Sequence, residues 1–116
     1  MDDLMSKLDL SRLQRQGDVT LVPVVGDLKL TGERRRPVGD RLILVSGEAT
    51  GHHHSLVADR AEIVEDEAAR RVFVRIMETT TLEHQTHAPI TLEPGLYVFL
   101  PDLDYVPGEL PRQVLD

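Results

Sequence analysis

From Gly17 onward the chain consists of short β-favouring runs broken by turn residues at close spacing, a rhythm that leaves little room for long helices. The clearest run is 71–77. Val72, Val74 and Ile76 alternate there with Phe73, Arg75 and Met77, which is the period of a strand. Ala61 to Glu65 forms the other arm of a hairpin with it, joined by acidic, Ala-containing residues. Thr79-Thr80-Thr81-Leu82 is β-favouring and extends the second arm. Leu42-Ile43-Leu44-Val45 is continuous and apolar, as a fully buried strand would be, and His52 to Val57 supplies the next strand. Ile90 and Leu92 are expected to face Tyr97 and Phe99 across Glu93-Pro94-Gly95, a second compact hairpin. Asp18 to Val25 is also strand-like, and Pro23 within it points to an edge or a bulge.

Before this β region, Asp2 to Gln16 reads as a short helix. Leu4, Met5, Leu8 and Leu13 are expected on one side, and Gly17 provides the stop. Residues 26–40 form a long connection with the basic run Arg34-Arg35-Arg36. The tail, 101–116, holds three prolines and is expected to wrap the surface. The expected fold is therefore mainly β, a small antiparallel barrel or sandwich with a short N-terminal helix. It divides into the helix at 1–16, the β domain at 17–100 and the tail, all within one domain of 116 residues.

Charge and composition remove several function classes. The net charge of −7 argues against a general affinity for nucleic acid or an anionic membrane, both of which reward positive charge. Cysteine is absent, which excludes disulfides, thiolate catalysis and cysteine-ligated metals. No apolar run is long enough to span a bilayer, and the acidic start is unlike a secretory signal. A cytoplasmic location is the expectation. Ser46 and Ser55 lack a nucleophile elbow, and no glycine-rich loop suits a nucleotide phosphate. The arginine run could grip phosphate or an acidic partner, but in an acidic chain it reads as a solvated loop.

The five histidines are the chemically distinctive residues, and all fall in two groups, His52-His53-His54 and His84-x-x-His87. On a strand, His52 and His54 point to one side and His53 to the other. His84 and His87 share a side across a tight turn or one helical turn. If the two segments are neighbours, three or four imidazoles meet. A nitrogen-rich set of that kind suits a transition-metal ion: zinc, iron, nickel or copper. His52, His54, His84 and His87 are the candidate metal ligands, with His53 incidental. Glu48 and Glu83 are candidates for a further ligand, a hydrogen-bond acceptor behind the ligands or a general base. Solvated, turn-capping or subunit-contact histidines remain the alternative for the same residues.

The motifs Arg15-Gln16-Gly17-Asp18-Val19, Gly47-Glu48-x-Thr50-Gly51-His52-x-His54 and Leu82-x-His84-x-x-His87-x-Pro89-Ile90-x-Leu92-x-x-Gly95-x-Tyr97 make the chain resemble a group of small uncharacterised bacterial β-rich proteins. That resemblance implies that His52, His54, His84 and His87 are pattern positions, and it implies no activity. Cupins also place His-x-His on a barrel strand. The carboxylate expected shortly after it is missing here, since the next is Asp59, so the likeness is one of architecture only.

Two functions from different classes follow. One is a metal-binding β domain, with or without metal-assisted chemistry on a small-molecule substrate that the sequence does not name. The other is a non-catalytic, homo-oligomeric assembly module with structural histidines. Self-association is expected in either case, from the amphipathic N-terminal segment and the edge strand implied by Pro23.

Overall fold

The structure is a computed structural model that describes residues 3–26, 28–46, 51–66, 71–101, 103–104 and 112–113. The N-terminal segment is not an α-helix. It forms two 3-10 turns, Asp3–Lys7 and Leu10–Arg12, and the second is capped by the Asp9 carboxylate, which accepts from the Ser11 amide at 3.2 Å. The apolar stripe does not continue past Leu8, because Leu10 and Leu13 are exposed. A short stripe of this kind cannot offset the cost of nucleating and extending a longer helix.

The segment then enters a strand. β1 (Gln14–Gln16) pairs antiparallel with β2 (Val19–Pro23) in a tight hairpin whose turn is Gly17-Asp18. Gly17 has φ 59°, the left-handed conformation that glycine adopts without a Cβ penalty. β2 is an interior strand with β1 on one side and β10 on the other, so the edge position expected from Pro23 is corrected. Pro23 is tolerated because it ends β2, beyond Leu21, the last residue that β1 pairs.

The main sheet has six strands in the order β1-β2-β10-β7-β6-β3, with β3 at Glu33–Arg34, β6 at Ala61–Asp66, β7 at Arg71–Ile76 and β10 at Gly95–Pro101. All its pairings are antiparallel. The expected hairpin of 61–65 with 71–77 is present as β6 and β7. β4 (Arg41–Ser46) pairs with β5 (His53–Val57), and β8 (Thr80–Leu82) with β9 (Ile90–Leu92). In β4 only Leu42 and Leu44 are fully buried, so one face of that strand, not both, meets the core. Two corrections follow from β8 and β9. Thr79–Leu82 does not extend β7, and 90–92 does not form a hairpin with 97–99, because β9 folds back on β8 while β10 lies between β7 and β2. In the tail β11 (Leu103–Asp104) pairs with β12 (Arg112–Gln113), and the rest of 101–116 lies mostly outside the described residues.

Two apolar clusters hold the layers together, one on each face of the main sheet. Leu21, Ile63, Val74 and Ile76 on one face pack against Leu42, Leu44, Leu56, Leu82 and Leu92 from the β4–β5 and β8–β9 sheets. Val22, Val64, Phe73, Leu96 and Val98 on the other face are covered by Leu4, Leu8, Leu28 and Leu30. Each fully buried Leu or Ile contributes about 1.5–3 kcal/mol, so both faces of the sheet stabilise the fold. The chain is mainly β and antiparallel, and no closed barrel forms among the described residues. No helix of the described residues is long and apolar enough to cross a membrane.

Candidate functional site: a histidine cluster at the β5–β8 junction

Ser55 and Glu83 exchange two backbone hydrogen bonds, each of 2.9 Å, and this bridge joins β5 to β8. An antiparallel bridge at 55 and 83 sets residue 54 opposite residue 84. Accordingly the His54 and His84 rings lie 4.4 Å apart between centroids. His52, two residues before His54 and on the same side, meets His84 edge-on at 5.4 Å. His87 reaches the group across the 84–87 turn, 4.5 Å from His84 and stacked 6.2 Å from His54. The structure thus brings together the rings of His52, His54, His84 and His87. His53 faces Gln85 instead: its amide donates to Gln85 Oε1 at 2.8 Å, and its ring lies against Gln85 Nε2.

The β1–β2 hairpin supplies the floor of the cluster. Gln16 is buried, and its Nε2 donates to the carbonyls of Leu82 and Ala88, both at 2.8 Å. Those bonds fix the amide so that Oε1 faces His54 Nδ1 at 2.8 Å. His54 is fully buried, and its Nε2 lies 3.2 Å from Asp18 Oδ1. Each ring nitrogen of His54 thus faces an oxygen within the chain, Gln16 Oε1 on one side and Asp18 Oδ1 on the other. For His54 to bind a metal, one of these two bonds must be given up. Gly17, between the two residues, lies directly under His87. A Cβ there would come within 2.6 Å of His87 Nε2.

His84 is also engaged. Its Nδ1 accepts from the amides of Thr86 at 3.1 Å and His87 at 3.3 Å, which holds the turn and leaves the ring proton on Nε2. Glu83 turns to Arg41, with 3.3 Å between carboxylate and guanidinium, while Arg41 also donates to the Ser55 hydroxyl at 2.9 Å. Glu48 lies outside the described residues. Among the described residues no group of three or more His, Cys, Asp or Glu side chains is gathered as in a formed metal site. Gln16, Gly17 and Asp18 are the site residues that sequence reasoning missed. Their signal is the Arg15-Gln16-Gly17-Asp18-Val19 motif, which straddles the expected helix end and strand start.

No curated protein and no solved structure matches the chain significantly. The profile of one family, described as Domain of unknown function (DUF8820), matches residues 15–100, well over half of the chain. The match starts at the hairpin that cradles the histidines and leaves out the 3-10 turns and the tail. The chain belongs to the DUF8820 family.

Proposed function

We propose that the chain is a β domain that binds a transition-metal ion through the histidines of its two clusters. The observation that carries this is the meeting of four imidazoles from segments some thirty residues apart, with His53 outside the group. Two imidazoles on one tetrahedral ion, each nitrogen about 2.0–2.1 Å from it, have centroids roughly 5 Å apart. The cluster's spacings of 4.4 to 6.2 Å bracket that value. Binding then requires turns of adjacent rings, not a movement of strands. His52, His84 and His87 are the half-buried members, while His54 lies beneath them on Gln16 and Asp18. Any such turn of His84 disturbs the bonds that Thr86 and His87 donate to its Nδ1.

The test is titration of tag-free protein with zinc, nickel, copper or iron(II), followed by amide spectra and thermal unfolding. Saturable binding, a higher melting temperature and shifts concentrated at Thr86 and His87 support the proposal. No saturable binding and an unchanged melting temperature with all four ions overturn it.

A second function, a non-catalytic assembly module with structural histidines, is favoured by a specific observation: both ring nitrogens of His54 are satisfied within the chain. Self-association in that case rests on the exposed Leu10, Leu13, Val25, Val38 and Met77, because the amphipathic helix and the Pro23 edge are replaced by 3-10 turns and an interior strand. Under this function the histidine variants lose stability without any metal dependence.

A further inference from the structure

On the Phe73 side of the main sheet, residues 24–26 and 28–34 line a cleft with strands β7 and β10. Its larger part, about 630 Å³, is walled by Val24, Leu28, Ile76, Met77 and Leu96, with Arg75 among them. A smaller part of about 310 Å³ shares Leu28 and Arg75 and adds Lys29, Arg34 and Glu62. Volumes in this range are those of small-molecule sites, in which apolar walls carry a few placed polar groups.

Arg75 is the unusual member. It projects from a central strand on the side of Phe73 and is half-buried, yet it makes no hydrogen bond or ion pair among the described residues. Its cross-strand neighbour is Glu62, which is held by Arg34 at 2.9 Å. A guanidinium in this position offers a rigid fork of donors matched to a carboxylate. The cleft also runs against the charge of the molecule. Among the described residues of the smaller part, Lys29, Arg34 and Arg75 stand against Glu62, although the whole chain carries −7.

We propose that this cleft binds a small amphipathic carboxylate. The carboxylate pairs with Arg75, with Lys29 beside it, and the hydrocarbon lies along Val24, Leu28, Met77 and Leu96. The site is separate from the histidines and does not depend on whether they bind metal.

Decanoate below its micellar concentration is the probe, with decan-1-ol as its uncharged counterpart, and both are titrated into the full chain by calorimetry and amide spectra. Decanoate binds saturably with shifts at Val24, Met77 and Leu96, and at least tenfold more tightly than the alcohol. Arg75→Gln weakens decanoate at least tenfold and removes that preference. Met77→Glu, at a position 45% exposed and so compatible with folding, sets a like charge on the wall and weakens decanoate similarly. Absence of saturable decanoate binding, equal affinity for the alcohol, or a folded Arg75→Gln that binds as the parent overturns the proposal. If Arg75→Gln does not fold, undiminished decanoate binding by Met77→Glu overturns it alone.

Discussion

At Gly17 a single methyl group would reach the histidine cluster. At φ 59° this residue sits beneath the His87 ring, and a Cβ would meet His87 Nε2 at 2.6 Å. Gly17→Ala should therefore lose about 1–3 kcal/mol through backbone strain and displace His87 as well. Urea unfolding measures the loss, and a parent-like midpoint would show that the turn and the ring are not in contact. Gln16 and His54 form the complementary case. Gln16→Leu keeps the volume but leaves the Leu82 and Ala88 carbonyls and His54 Nδ1 without their donor or acceptor. Each buried group so orphaned costs about 1–3 kcal/mol, so this substitution should be among the most destabilising in the chain. A loss below about 1 kcal/mol in the same unfolding assay would contradict that. At this scale the histidine side was legible, since strand alternation separates His53 from His52 and His54. The hairpin side was not, because the polarity of Gln16 and Asp18 gives no hint that both end up against a buried imidazole.

Among the elements, the connection at 26–40 is less passive than its composition suggests. The Arg35 guanidinium donates to the carbonyls of Ile43 and Leu44, each at 2.7 Å, and meets Glu65 at 2.6 Å. It straps β4 to the edge of the main sheet beside β3 and β6. Arg36, the next residue, is exposed. Arg35→Ala should lower stability by about 1–3 kcal/mol and Arg36→Ala by less than about 0.5, a contrast that thermal unfolding resolves. Equal effects would return the whole run to the solvated loop expected from sequence. Composition could not separate the three arginines, because their difference lies in which backbone carbonyls come within reach. The mispaired hairpin has a similar cause. Glu93-Pro94-Gly95 has the chemistry of a tight turn, but β9 is only three residues long and finds its partner in β8. Gln16 bonds to Leu82 in β8 and to Ala88, two residues ahead of β9, which is a long-range constraint with no local sequence signal. By contrast β6 and β7 were legible, since the alternation from Val72 to Ile76 marks one arm and Ile63-Val64 marks the other.

For the molecule as a whole, the main sheet is the shared wall of both apolar clusters, and Tyr97 of β10 reports on it. Burial pushes the Tyr97 phenol above its ordinary value, and its hydroxyl donates to the Glu93 carbonyl at 2.8 Å. The folded state thus favours the neutral phenol. Its contribution is complete below about pH 10, the ordinary value, and is lost as pH rises from there through the raised folded value. Stability should fall across that alkaline interval in the parent and fall less in Tyr97→Phe. Denaturant unfolding at several pH values checks this, and parallel curves would contradict it. The histidine cluster belongs to the same scale, because it joins the β1–β2 hairpin of the main sheet to the β5 and β8 strands of the β4–β5 and β8–β9 sheets. The most direct measurement is the metal content, by elemental analysis, of protein purified without an affinity tag and after metal reconstitution. The parent and His53→Ala should hold close to one ion per chain, and His52→Ala and His84→Ala should lose most of it. A parent that holds only a small fraction of an ion per chain, or a loss confined to His53→Ala, would contradict the assignment.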